Sequence, residues 1–376
     1  MRHPKVKPEH RPHRYADGTI RIGGEIYGVA AEIDDPDGWV WAALTLMDGS
    51  RTAEEVVTRL GQEFPALRAR AARSVVEQLI ASGYLEEAGA VPPPELAARE
   101  ADRYSRNHAF FRRVDLTPRE HGWEAQLRLR NARVVVLGLG GTGGHAAWAL
   151  TAAGAGRLHC VDPDVVELSN LSRQMLYGEA DIGRAKAEVA VRRLRAVNSD
   201  VTVTGERRRA GSQEELAEII AGADMLALCA DEPGGHVLRV WANRACAAAG
   251  IPWAGGGYNG PLVTAGLYRP GHPCYECVSA GEQARRRPGT PVDLGGPGVL
   301  PTSAGISGLL VAHAVISEIT GVPDLVPGRV SGLNLIAPDQ LIDVRHPSRP
   351  DCPVCGDAAR RKAGLDREMN HTQNPD

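Results

Sequence analysis

No run of this 376-residue sequence is apolar for long enough to span a bilayer, and no apolar core follows the basic amino terminus. Neither a membrane span nor a secretory signal is therefore expected. No charge of one sign dominates: the formal net charge is −3, which argues against a general nucleic-acid or membrane footprint. A complete disulfide framework is missing too, because seven cysteines cannot all pair, and the chain is expected to be cytoplasmic. Cys160, Cys229 and Cys246 lie within apolar runs, where cysteine packs as a small hydrophobe. No convincing Ser-His-Asp arrangement stands out either, and the chemistry inferred below needs none.

What is present suggests one small and one large domain. Residues 1–15 and the tail 359–376 lack apolar periodicity and are expected to be disordered. Residues 16–90 form a candidate small unit, with strand-like pieces around 26–29 and 39–41 and a turn at Asp48-Gly49-Ser50. Thr52, with Glu55 three residues on, marks a helix start; 66–82 predicts a second helix stopped by Gly83, and 84–86 a returning strand. That order is winged-helix-like, α+β. Residues 91–100, with Val91-Pro92-Pro93-Pro94, make a stiff linker. Across 101–358 the pattern changes to α/β: strands at 134–137, 158–161, 201–204 and 225–229 alternate with helices at 145–153, 185–197 and 236–249. Such alternation specifies a Rossmann-like, mostly parallel sheet covered by helices. Strand-like 262–268, a helix at 304–320 and late strands near 333–336 and 341–344 follow.

Gly138-Leu139-Gly140-Gly141-Thr142-Gly143-Gly144 directly follows the first of these strands and opens a helix, the context of a phosphate loop. Asp162 ends the next strand about twenty residues later, where a carboxylate meets ribose hydroxyls. A dinucleotide enzyme would show the same pair, so the nucleotide stays open here. Arg173 and Lys186 decide for ATP, because a triphosphate needs neutralising cations before pyrophosphate can leave. Asp231, just past the fourth strand, is placed to hold Mg²⁺.

From 103 to 268, and on to Cys355, the chain resembles the ThiF/MoeB/HesA family of adenylyltransferases, relatives of ubiquitin-activating enzymes. The resemblance implies ATP and Mg²⁺ binding by Asp162, Asn170, Arg173, Lys186 and Asp231. Gly138, Gly140, Gly141, Gly143, Asp164 and Gln174 complete the implied nucleotide site. Arg106, in Arg103-Tyr104-Ser105-Arg106-Asn107, matches an arginine that reaches into a partner subunit's site, so a homodimer is implied. The substrate carboxylate, with a pKa of roughly 3.5, is ionised at neutral pH and needs no general base.

Cys274-Tyr275-Glu276-Cys277 and Cys352-Pro353-Val354-Cys355 supply four thiolates, the donor set of a structural Zn²⁺. A closed set of this kind leaves no open position for catalysis. Thioester-forming relatives carry a cysteine between the first pair and the late helix, whereas 278–301 has none here, so the reaction is expected to stop at an acyl adenylate or to pass straight to another nucleophile. Arg285-Arg286-Arg287 in that stretch reads equally as a solvated charge run or as an attractor for an acidic peptide.

The segment 46–52, with the two helices and Gly83-Tyr84-Leu85 after it, is similar to PqqD and the recognition elements of ribosomal peptide natural-product pathways (RiPPs). That similarity implies binding of a precursor peptide's leader as an added strand. A DNA-binding winged helix would need a more basic recognition helix than Arg68, Arg70 and Arg73 provide. The combination predicts adenylation of a carboxylate in a leader-bound precursor peptide. Two alternatives are a leader-binding scaffold for a YcaO cyclodehydratase, and activation of a sulfur-carrier protein's carboxyl terminus.

Overall fold

The computed structural model describes residues 1–289 and 298–357, and the expected disordered tail lies outside them. It divides into two compact units, Met1–Arg128 and Leu129–Asp376.

In the larger unit the strand Arg133–Leu137 shows how sequence becomes sheet. Its side chains alternate, so Val134 and Val136 enter one apolar cluster while Val135 and Leu137 enter another on the opposite face. Both faces are covered, and accordingly the strand is hydrophobic throughout. The described strands form an eight-stranded sheet in the order Leu341–Arg345, Arg329–Asn334, Leu262–Tyr268, Trp253–Asn259, Met225–Leu228, Arg133–Leu137, Arg157–Val161, Thr202–Glu206. The last five of these run parallel, and the first three extend the sheet antiparallel. One face packs against helices Gly141–Ala153, Lys186–Val197 and Pro301–Thr320, the other against Gln213–Ile219 and Gly235–Ala249. Pro301–Thr320 is long and apolar enough to cross a membrane by composition alone. Its Ser303, Ser307, Ser317 and Thr320 are nevertheless buried against the protein, and Ser307 meets Thr142 at 3.0 Å, the behaviour of a core helix.

The smaller unit departs from expectation in four places. Residues 1–15, expected to be disordered, are ordered: Pro4–Val6 pairs antiparallel with Leu85–Glu87, and His13–Arg14 pairs with Ile20–Ile22. Main-chain pairing and buried polar anchors, rather than apolar periodicity, supply the order. Lys7 is 5% exposed, and its ammonium donates to the carbonyls of Arg112 and Asp115, at the carboxyl end of helix Ser105–Val114. Residues 26–29 form a turn instead of a strand, and Trp39–Leu46 is a helix. The signal for that helix is Asp35, whose two carboxylate oxygens accept from the amides of Val40 and Trp41. Within the expected linker, helix Ala98–Arg103 begins, closed by Glu100 accepting from the amide of Ala97. The predicted capping box of Thr52 and Glu55 forms, and Val56 and Leu60 of its helix are fully buried.

Candidate active site

The strand Arg133–Leu137 has Arg157–Val161 on one side and Met225–Leu228 on the other, so the strand order reverses there and the carboxyl ends leave a crevice. Gly138 turns the chain into it with φ of 89°, and a Cβ there would lie 2.6 Å from the amide of Ala230, beyond the fourth strand. Gly143 is equally constrained, because its Cβ would collide with the carbonyl of Gly138. The helix that follows begins with no side-chain cap on Gly140, so its first amides are free for an anion.

Asp162 holds this loop. It is 4% exposed, and its two oxygens accept from the amides of Leu139 at 2.6 Å and Asp164 at 2.9 Å. Burial pushes its pKa up, opposed by the charge of Lys186 and by the two amides. A carboxylate accepts about four hydrogen bonds, so capacity for ribose hydroxyls remains. The Tyr177 hydroxyl closes the loop from the other side by donating to the Leu139 carbonyl at 2.9 Å.

The predicted cations lie beside it. Lys186 is buried and its ammonium is 3.0 Å from Asp164. Arg173 donates to the Ser169 carbonyl, and its stem passes 3.7 Å from the Cβ position of Gly141. Asn170 is buried and accepts from the amide of Glu167, which closes the turn carrying Arg173 and Gln174. Asp231 is exposed at the end of the fourth strand, without a hydrogen-bond or ion-pair partner among the described residues. Two buried polar atoms, Arg173 Nε and Gln174 Oε1, also lack a partner. Both side chains border the bare glycines 140 and 141, so a polar ligand at the loop would satisfy groups that are costly to leave unmade.

Gly138, Gly140, Gly141, Gly143, Asp162, Asp164, Asn170, Arg173, Gln174, Lys186 and Asp231 thus all belong to this one carboxyl edge. Arg106 lies elsewhere, exposed on helix Ser105–Val114 of the smaller unit. Sequence reasoning missed Arg209, which is 3.9 Å from Asp164 and also pairs with Glu232, tying the tips of the second and fourth strands together. The run Arg207-Arg208-Arg209 after the third strand was its signal. It also missed Tyr258, whose hydroxyl is 3.5 Å from the Cβ position of Gly141.

The four predicted thiols converge at a second place. The sulfurs of Cys274, Cys277, Cys352 and Cys355 are all buried and lie within 4.8 Å of one another, with closest approaches of 3.6 and 3.5 Å. A tetrahedral zinc with sulfur ligands needs separations of about 3.8 Å, so the set fits Zn²⁺. The amide of Arg349 donates to Cys277 Sγ, which helps to fix the orientation of that sulfur. The hydrogen bond between Cys274 and Cys355 holds the Cys355 thiol below the usual thiol range and pushes Cys274 above it.

The ThiF family matches residues 106–354. The mouse adenylyltransferase and sulfurtransferase MOCS3 is 35% identical over 304 residues, covering 80% of this chain and 63% of that protein, so the chain spans under two thirds of its length. The molybdopterin-synthase adenylyltransferase of Escherichia coli K12 is 32% identical over 267 residues, 70% of this chain and 99% of that one. In fold, Escherichia coli MccB superposes with a TM-score of 0.74 at 22% identity, covering 94% of this chain and 97% of its own. That enzyme, described as the microcin C7 biosynthetic enzyme, has been solved with ATP and with N-formylated MccA. The glycine loop, the switch-point crevice and these relatives agree: the chain belongs to the ThiF family of ATP-dependent adenylyltransferases.

Proposed function

We propose that this protein adenylates a carboxylate of a precursor peptide whose leader is gripped by the smaller unit, as in RiPP biosynthesis. The observation that carries the reading is the pair of buried, unpartnered atoms on Arg173 and Gln174 beside a bare glycine loop. An oxygen of the ionised substrate carboxylate attacks the α-phosphorus; the new P–O bond forms as the bond to the β-phosphate breaks, and pyrophosphate leaves. No proton moves, so no base is needed. The chain's work is to hold two anions in line and to stabilise the leaving group. Loop amides and Asp162 would seat the nucleotide, Arg173 and Lys186 would neutralise phosphate charge, and Asp231 would hold Mg²⁺, which offsets charge on the leaving pyrophosphate. Arg106 would complete the site from a second copy of the chain in a homodimer.

Two features support the peptide reading. The fold likeness to MccB covers 94% of the chain, too much to leave out the smaller unit. That unit also has a small antiparallel sheet ending at Ala31–Ile33, one edge of which is unpaired among the described strands, the geometry for adding a leader as a strand. A second reading, activation of a sulfur-carrier carboxyl terminus, is favoured by sequence identity to the mouse and Escherichia coli relatives. Exchange of labelled pyrophosphate into ATP separates them: the peptide reading predicts exchange that depends on a leader-bearing peptide. Exchange with a sulfur-carrier protein alone would support the second reading. Tight leader binding without exchange would support a scaffold serving a YcaO partner.

A further inference from the structure

The glycine loop is held one peptide plane at a time. A trans peptide is rigid, so its carbonyl and its N–H point in opposite directions and turn together. The plane joining Gly138 to Leu139 is fixed through its N–H, which donates to Asp162 at 2.6 Å. The plane joining Gly140 to Gly141 is fixed through its carbonyl, which accepts from the Gly144 amide at 2.9 Å as the helix begins. Between them, the plane joining Leu139 to Gly140 has one hydrogen bond among the described residues, from the Tyr177 hydroxyl to the Leu139 carbonyl at 2.9 Å. Its Gly140 amide faces away from Tyr177 and donates to no acceptor among them.

Without that hydroxyl the middle plane could turn over at little cost. Such a turn would carry φ of Gly140, here −72°, to the positive side, which glycine tolerates. A carbonyl oxygen would then stand where the amide stood, and it would repel an anion at the start of the uncapped helix. Tyr177 is well placed to prevent this. It is 8% exposed, and burial together with the charge of Asp162 pushes its pKa up, so the hydroxyl keeps its proton. The residues just before it border the same loop: Arg173 lies by Gly141, Gln174 by Gly140 and Leu176 by Gly144.

We propose that Tyr177 is a positioning residue for the phosphates: by holding the Leu139 carbonyl, its hydroxyl presents the Gly140 amide as a donor to a phosphate oxygen of ATP. The proposal rests on the adenylation reading and adds the residue that sets the polarity of its anion site.

Tyr177→Phe keeps the buried ring and removes only the hydroxyl. Dissociation constants are measured for ATP by isothermal titration and for adenosine, which has no phosphate, by saturation-transfer NMR. The variant is expected to bind ATP about tenfold more weakly than wild type and adenosine within about twofold of it. An ATP affinity within about twofold of wild type overturns the proposal. So does an equal loss for ATP and adenosine, which would make Tyr177 a packing residue. A second measurement needs no substitution. Leucine precedes glycine at four places, Gly61, Gly138, Gly140 and Gly295, so ¹³C-carbonyl leucine with ¹⁵N-glycine isolates four amides in the wild-type spectrum. The Gly140 amide proton is expected to move downfield with ATP and not with adenosine, and an unmoved signal with ATP bound overturns the proposal. Failure of the wild type to bind ATP would instead overturn the adenylation reading beneath it.

Discussion

The larger unit carries two polar clusters of opposite character. At the carboxyl edge of the parallel strands the groups are under-satisfied: bare glycines, a helix start without a cap, and buried atoms of Arg173 and Gln174 without partners. At the four-cysteine cluster every sulfur is within 4.8 Å of the other three and buried. An open cluster can bind and release a substrate, whereas a closed set of four thiols is suited only to holding an ion and the chain around it. The start of helix Tyr275–Arg285 and the turn at 352–355, far apart in sequence, meet in that cluster.

Mutations that sharpen the contrast fall in a definite order. Cys352→Ser should have the largest effect on stability, above about 4 kcal/mol, because it removes a ligand whose binding energy is folding energy. Thermal melting and colorimetric release of about one zinc ion per chain would report it. Thiols that titrate freely with no zinc released would break the contrast. Gly143→Ala should come next, at about 3 kcal/mol in urea unfolding together with loss of ATP binding, since its Cβ has no space beneath the Gly138 carbonyl. Asp231→Ala should leave melting unchanged, because its carboxylate is exposed and has no partner among the described residues, yet lower pyrophosphate exchange by roughly a hundredfold. Arg209→Ala should do least: an exposed ion pair contributes little to stability, and a change of about threefold or less in the KM for ATP is expected from steady-state kinetics.

Much of the catalytic edge was legible because its chemistry is written in local sequence. Valines of alternating face, a glycine run after a strand and an aspartate after the next strand each carry their own signal. The fifth strand, Trp253–Asn259, was illegible for a physical reason. Gly255, Gly256 and Gly257 have no side chains to alternate, and each is glycine because Trp253, Val311 and Arg239 respectively occupy the space a Cβ would need or border. The smaller unit hid its order differently. Pro4–Val6 is held by backbone pairing to residues about eighty positions away, and the helix Trp39–Leu46 is started by Asp35 from outside the helix. Neither contact leaves a periodic trace. The aromatic and β-branched residues at 39–41 favoured a strand on propensity, and the cap overrode it.

An adenylating edge cuts ATP between the α- and β-phosphates. Its most direct test is phosphorus NMR of ATP incubated with the protein, Mg²⁺ and a panel of leader-bearing peptides. AMP-linked product and pyrophosphate are expected in equal amounts, both reduced by roughly a hundredfold with Asp231→Ala. Release of ADP and orthophosphate would contradict it, because the bond broken would then be the wrong one.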